Sequence, residues 1–398
     1  MRILYISQRV PYPPVRGDKI TTWRGISHLA KKHEVTIVAF AHNAGDLEAA
    51  ETLRQKGFTI HTVDLDMKRN KLRSLPFLLG KKPLTLGVYG SAELQRVVDR
   101  EIENCDLAFS YSSSMGAFLL PHPHKPRVQF VCELDSDKWD QYAGFTKFPM
   151  SWVYKREART LLEFEREMCG AMDMNMVVTP VELAIFEERI PGAPCRVQRN
   201  GVDLEHFNPS YNAPEPGHMV FTGVMDYFPN VDGCVWFARE ILPEIRLRHP
   251  EARFSVVGSS PSKEVLALAS LPGVEVTGFV DETRDWLARA QLGVAPLRIA
   301  RGIQNKVLEA MGQGLPVVGT TNATQGVEGV PGRDFLVADD VASQVEACCR
   351  LIANPEEGLA LGRQARAFVE ESYSWETVLE PMTLLLEDIV RQRGGDPS

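Results

Sequence analysis

No stretch of this 398-residue chain reaches the ~18 uninterrupted apolar residues of a membrane-spanning helix. The opening MRILYISQRVPYPP has too short an apolar run for a secretory leader, so the chain is expected to stay in the cytoplasm. Its seven cysteines (105, 132, 169, 195, 234, 348 and 349) are odd in number and show no CxxC spacing. That argues against a disulfide framework and for reduced, mostly buried thiols. An excess of positive charge is missing too: the formal charge of -8 argues against nucleic acid as a partner. His122-Pro123-His124 could suggest a ligand pair, but no second cluster completes it, and no metal is expected. No repeat of solenoid period is visible.

What is present is a globular composition, 44% hydrophobic and 24% charged, in a chain long enough for two domains. Apolar runs alternate with helical stretches: RILYIS, VTIVAFA, FTIHTVDL, CDLAFSYS and RVQFVCEL are separated by helical segments, including 46–56 and 91–104. An amphipathic helix over 148–170 then leads into MNMVVTP. Strands in this rhythm make a parallel sheet covered on both faces. Between 191 and 217 the chain is dense in Pro, Gly and Asn, which marks turns and a linker. A second series follows: HMVFTG, a helix over 230–247, RFSVVGSS, VEVTGFV, a helix over 282–290, LGVAPLR, a helix over 304–313, LPVVGTT and FLVAD. The expectation is α/β throughout: one doubly wound domain over 1–205, a second over 206–374, and a terminal helix over 375–398 that reaches back to the first.

Ligands of such sheets bind outside the carboxyl ends of the strands. The first such loop, QRVPYPPVRGDKI, lacks GxGxxG, and no acidic residue closes the next strand, so a nicotinamide enzyme is disfavoured. Prolines 11, 13 and 14 would hold Arg16 and Gly17 for a phosphate or sugar, or simply stiffen a surface loop; Asp18 is expected to cap the following helix. In RGIQNKVLEAMGQGLPVVGTT, Leu297 is expected to end the preceding strand, Gly302 permits close backbone approach, and a helix starts near Gln304 or Asn305. The helix tip favours an anion, Lys306 adds a charge in its first turn, and Glu309 lies one turn further in, on the face opposite Val307, Leu308 and Met311. Phosphate at the tip with a ribose held by Glu309 describes a nucleotide diphosphate; a plain Lys306–Glu309 surface pair explains the spacing equally well.

GIQNKVLEAMGQGLPVV, together with NGVDLEHFNP at 200–209, VVGSSP at 256–261 and VTGFVDE at 276–282, resembles the retaining GT-B glycosyltransferases of family 4. DSDKWDQYA at 135–143 and FTGVMDYFPNVDGCVWF at 221–237 resemble a bacterial subgroup associated with exopolysaccharide assembly. The resemblance implies a GT-B fold, two Rossmann-like domains facing across a cleft, with the first for the acceptor and the second for the nucleotide-sugar donor. It implies Glu309 as the ribose ligand, Gly302, Ile303, Gln304, Asn305 and Lys306 as the diphosphate and sugar segment, and Gly17 and Gly223 as donor-facing glycines. The Phe279–Val280 backbone would meet the base. Two departures stand out: Arg301 occupies the position of the family's first glutamate, and VMDYFPN replaces the usual basic pair after Gly223, leaving Arg298, Arg301 or Lys306 to supply charge. Cys132 stands where many relatives have histidine, followed by Glu133, Asp135 and Asp137, and Asp135 is the candidate acceptor or sugar contact unless it merely serves a turn or N-cap.

The implied activity is transfer of a hexose, with retention, from a nucleotide diphosphate sugar to a glycan or lipid-linked acceptor, without metal or other cofactor. The alternatives are a GT-B epimerase or phosphorylase and a non-catalytic sugar-nucleotide scaffold. MKRNKLRSLPFLLGKKPLTL at 67–86 has six basic residues, no acidic one and interspersed leucines, the make-up of a segment lying on an anionic membrane surface or of a solvated loop.

Overall fold

The computed structural model describes residues 1–209, 214–300 and 302–394. Arg301 lies outside the described residues. The chain forms two compact units, Met1–Arg199 with Leu379–Ser398, and Asn200–Val378.

The first unit holds β1 (Arg2–Ser7), β2 (Glu34–Ala41), β3 (Thr59–Asp64), β4 (Leu107–Tyr111), β5 (Arg127–Cys132), β6 (Met174–Val177) and β7 (Cys195–Val197). They form one parallel sheet in the order β3-β2-β1-β4-β5-β6-β7. The second unit repeats the plan with β8 (His218–Thr222), β9 (Arg253–Val257), β10 (Val274–Gly278), β11 (Leu292–Ala295), β12 (Val317–Gly319) and β13 (Leu336–Val337). Its order is β10-β9-β8-β11-β12-β13, again parallel. Both orders reverse beside the first strand of the unit, between β1 and β4 and between β8 and β11, which is where a doubly wound sheet opens a ligand crevice.

Continuous apolar runs become strands here because both sheet faces are covered: every residue of β8 and β11 is buried. Leu4, Ile6, Val38 and Phe40 in one unit, and Phe221, Phe254, Val294 and Val318 in the other, lie in the cores. Each such side chain contributes roughly 1.5–3 kcal/mol of burial.

The helices that bear on function are α1 (Gly17–Leu29), α2 (Met67–Ser74), α3 (Leu84–Tyr89), α4 (Ala92–Ile102), α5 (Asp135–Phe145), α6 (Met150–Gly170), α7 (Phe228–Trp236), α8 (Asn305–Gly312) and α9 (Trp375–Gln392). From Leu379 onward α9 belongs to the first unit. Glu380 binds Lys32 at 2.6 Å, and beyond the helix Arg393 Nε donates to Asp173 at 2.7 Å. The NGVD turn belongs to the second unit: Val202 N–H donates to the Tyr373 carbonyl at 2.8 Å and the Trp375 ring lies against Gly201.

Three local expectations are corrected. Asp18 does not cap α1; Arg16 holds the cap position, and Asp18 in the first turn pairs with Arg16 at 2.8 Å and Arg9 at 3.5 Å. β11 ends at Ala295 rather than Leu297, because Pro296 has no N–H to continue the ladder. The helix expected over 230–247 is broken by a π-helical turn at Phe237–Ile241. Pro243 removes the donor that an α-helical turn would use there, and the wider turn absorbs the loss.

Candidate functional site

At the switch point of the second unit, Gly223 follows the end of β8 and the chain after β11 leads to Gly302 and into α8. Lys306 stands in the first turn of α8, and its ammonium donates to Asn230 Oδ1 of α7 at 2.5 Å and lies 4.6 Å from the centre of the Phe221 ring. Asn230 in turn donates to the Val224 carbonyl at 2.9 Å, so one amide closes the loop after β8 and positions the lysine. A Cβ at Gly223 would come within 2.8 Å of Asn230 Nδ2 and 3.4 Å of Lys306 Nζ, so glycine here lets the backbone run beside the ammonium.

Two further glycines shape the crevice. Gly258, after β9, has φ +148, and a Cβ there would overlap the Gly223 carbonyl. Gly258→Ala is therefore expected to displace the loop after β8, costing more than about 3 kcal/mol of stability and abolishing donor binding, measurable by urea unfolding and a nucleotide thermal shift. Gly302 has φ +61, and Gly326 packs against it so closely that a Cβ at 326 would come within 2.5 Å of its carbonyl oxygen.

Lys306 and Glu309 are both half-buried and share one face of α8, while Val307, Leu308 and Met311 enter the core. Among the described residues no carboxylate pairs with Lys306, and the Glu309 carboxylate has no hydrogen-bond partner. Burial pulls the lysine down to about 8, against the opposing influence of Cys234 and Glu309. Burial pushes Glu309 up to about 7, with Lys306 opposing. A lysine and a glutamate, each shifted toward its neutral form by burial and neither held by an ion pair with another described residue, thus lie together at the strand-end crevice.

The other expected donor residues lie around this centre in different states. Gln304 is the N-cap of α8 without using its side chain to cap, and Asn305 is the first helical residue, its buried Oδ1 unpartnered. Ile303 and Val280 pack half-buried against the core. Phe279, beside Val280, is 74% exposed. Arg298 is already engaged: it pairs with Asp232 through two nitrogens, at 2.9 and 2.5 Å, and lies 5.4 Å from the Trp236 ring, so less of its charge is free for a phosphate.

In the first unit, Gly17 is the exposed first residue of α1, after β1. Asp135 opens α5 after β5, yet Leu134 holds the cap position, so Asp135 is not an N-cap. Its Oδ2 accepts from Ser113 Oγ at 2.5 Å and its Oδ1 lies 3.7 Å from Lys138 Nζ, which also binds Glu133 at 3.0 Å. Ser112 and Cys132, at the ends of neighbouring β4 and β5, have φ +80 and +70, a strained region for non-glycine residues that turns the chain sharply at the strand ends.

Beneath Asp135, α6 buries Glu165 completely. One oxygen accepts from the Ser136 N–H at 3.3 Å, and the other has no partner. Burial pushes Glu165 up to about 8, the nearby Asp135 adding to the shift, and burial raises Asp135 as well. A folded-state value above the unfolded value of about 4.3 means that the native state holds its proton while the unfolded chain releases it. Stability should then decline as pH rises from about 4.3 to 8. Glu165→Gln, neutral at every pH, is expected to flatten that decline in pH-dependent urea titrations without loss at pH 7.

Glu103 joins His122 and His124, a neighbour the sequence did not reveal: His124 Nε2 lies 3.3 Å from Glu103 and His122 Nε2 2.8 Å from Asp99. The cluster precedes β4 and β5, at the end of the sheet opposite Asp135. Sequence reasoning also missed Asn230, Ser113, Gly258 and Glu165. Glu165 alone left a signal: with Leu161, Phe164 and Met168 it lies on the buried stripe of α6, where an ionisable residue needs a reason.

Residues 216–354 match the glycosyl transferases group 1 family. This group 1 segment contains Gly223, Asn230, Gly258, Lys306 and Glu309. A phosphatidyl-myo-inositol mannosyltransferase of Propionibacterium freudenreichii is 28% identical over 158 residues, 38% of this chain and 39% of that protein. A GDP-mannose-dependent monoacylated alpha-(1-6)-phosphatidylinositol monomannoside mannosyltransferase of Corynebacterium glutamicum is 24% identical over 212 residues, 47% of this chain and 55% of that protein. The chain thus matches about two fifths to just over half of these relatives' length. Among solved structures, sucrose-phosphate synthase from Thermosynechococcus elongatus superposes with a TM-score of 0.72 at 16% identity, covering 98% of this chain and all of that one. HepE of Anabaena in complex with UDP gives 0.68 at 13% identity, with 98% and 100% coverage. The fold is therefore GT-B, two Rossmann-like α/β domains along the whole chain, as expected from the sequence.

Proposed function

We propose that the chain is a glycosyltransferase that moves a hexose, with retention, from a nucleotide diphosphate sugar to a glycan or lipid-linked acceptor in the assembly of an exopolysaccharide or other cell-surface polysaccharide. The observation that carries this reading is the pair of Lys306 and Glu309, neither in an ion pair among the described residues, on one face of α8 at the switch point of the segment that matches the family. The tip of α8 and Lys306 would hold the diphosphate. Charge develops there as the sugar leaves, so the same groups that bind the ground state oppose the rise in energy at the transition state. Glu309, one turn deeper, would accept the ribose hydroxyls, and the backbone at Phe279–Val280 would meet the base. Gly302, Ile303, Gln304 and Asn305 would line the diphosphate and sugar, with Arg298 and Arg301 as further cations. No metal or other cofactor enters this scheme.

In the first unit, Asp135, held by Ser113 and Lys138, would orient the acceptor or the sugar, and Gly17 would face the donor phosphate. Two relatives carry mannosyltransferase names, and HepE is described with UDP, so GDP-mannose and UDP-glucose are the first donors to test. The experiment is a thermal-shift panel of UDP, GDP, ADP and dTDP sugars. A donor at 100 times its dissociation constant adds about 2.7 kcal/mol of stability. A panel without any shift would overturn the reading. If a donor binds but is neither hydrolysed nor transferred with membrane extract as acceptor, the chain is a sugar-nucleotide scaffold instead.

A further inference from the structure

The turn at 122–125 in the first unit carries two imidazoles that the glycosyltransferase reading does not use. The Lys125 N–H donates to the His122 carbonyl at 3.3 Å, which closes a four-residue turn with Pro123 at its second position, where the fixed φ of proline is favoured. His122 and His124 thus leave one tight turn, and their ring centres stand 5.9 Å apart.

The turn is anchored from both sides. Before it, the His122 N–H donates to the Leu119 carbonyl at 3.1 Å, and the buried Arg127 guanidinium donates to the same carbonyl at 3.2 Å. After it, Lys125 Nζ donates to the carbonyls of Glu103 and Cys105, at 3.0 and 2.9 Å. The ammonium therefore draws the segment just beyond α4 against the turn and brings the Glu103 carboxylate to the imidazoles. Asp99 lies one helical turn before Glu103, on the side of α4 away from Leu94, Val98 and Ile102 in the core. Its Oδ1 lies 2.8 Å from His122 Nε2 and accepts from Gln95 Nε2 at 2.8 Å, so the ring of His122 is held by a carboxylate that is itself held.

We infer that Glu103, His122 and His124 form a binding site for a divalent first-row transition metal of the Zn2+ class. One donor atom from each of the three lies within 4.8 Å of the other two. His124 Nε2 and Glu103 Oε1 are 3.3 Å apart, which is the edge of a tetrahedral shell with metal–ligand bonds of about 2.0–2.1 Å. Charge points the same way: among the described residues neither Asp99 nor Glu103 forms a salt bridge with a lysine or arginine, only with these two histidines. Imidazole nitrogens select this class of ion over Mg2+ and Ca2+, which take oxygen ligands. Asp99 fixes the His122 ring, as carboxylates beside metal-binding histidines do.

The cluster precedes β4 and β5, at the end of the sheet where a doubly wound fold does not bind its substrate. A bound ion would tie the end of α4 to the turn that leads into β5 and so brace the first unit, with no part in sugar transfer. The inference therefore does not rest on the proposed function. The sequence showed only the histidine pair, because Glu103 reaches it through the fold.

The test is calorimetric titration of the full chain, first stripped with a chelator, with ZnCl2, and with MgCl2 and CaCl2 for comparison. One Zn2+ is expected to bind per chain, and neither Mg2+ nor Ca2+. His124→Ala and Glu103→Gln should each weaken Zn2+ binding at least ~tenfold, since even an outer partner of a metal ligand is worth that much. Both side chains are exposed, so the metal-free variants should keep the parent melting temperature. Zn2+ should raise the melting temperature of the parent and leave that of His124→Ala unchanged. Co2+ in place of Zn2+ should give visible absorption without a sulfur-to-metal charge-transfer band. No Zn2+ binding by the parent, or a smaller loss in either variant, would overturn the inference, and a charge-transfer band would do so by placing the ion on a cysteine.

Discussion

Glu309→Ala is expected to abolish the thermal shift produced by the preferred nucleotide sugar. The Glu309 carboxylate has no partner of its own among the described residues, and burial has pushed it up to about 7. Burying such a group without a partner is costly, and in the proposed site the hydroxyl donors of a ribose would offset that cost. Two hydrogen bonds to an ionised carboxylate are worth about 1.5–3 kcal/mol each, so their loss weakens binding by two orders of magnitude or more. The apo protein should respond in the opposite sense. A folded-state value raised above the unfolded one makes stability fall as pH rises from about 4.3 to 7. Glu309→Gln should therefore melt above the parent at pH 8, where the gain is at most about 4 kcal/mol, and with it at pH 4. An unchanged donor shift in Glu309→Ala would remove this residue from the site, whatever its effect on stability.

The second large effect is expected at Lys306. Lys306→Gln should lower kcat by about 100- to 1000-fold, the range for removing one preorganised group that faces developing charge. KM for the donor should change far less, because the helix tip and Glu309 remain. The free enzyme should also lose kcat/KM above about pH 8, where the ammonium gives up its proton. Bound diphosphate favours the charged form, so the corresponding limb in kcat should move to higher pH. A donor KM that rises by the whole factor with kcat intact would make Lys306 a binding group only.

The two α/β units were legible in the sequence because strands buried on both faces leave continuous apolar runs, as in RILYIS and HMVFTG. α8 was legible too: Gly302, the polar helix start and the apolar Val307, Leu308 and Met311 declare both its start and its buried face. What Lys306 touches was not. Its amide partner, Asn230, is distant in sequence, and the pairing arises only when the loop after β8 folds beside α8. The same applies to Ser113 beneath Asp135, and to Arg156, whose role of gathering four carbonyls depends on a turn some 75 residues earlier. Arg298 shows the converse: a cation in the right stretch of sequence is held by Asp232, which no spacing rule linked to it.

The return of α9 to the first unit has a consequence for how the chain is made. The second unit is one continuous stretch, Asn200–Val378, and has all its strands once that stretch has emerged from the ribosome. The first unit has its sheet earlier but lacks the segment that carries Glu380 and Arg393, the partners of Lys32 and Asp173, until residues 379–393 are synthesised. Domains generally complete in the order of synthesis. Here the unit that begins first is completed after the second, and a chain cut at residue 378 would contain the whole of the second unit while the first still lacked the segment that carries Glu380 and Arg393.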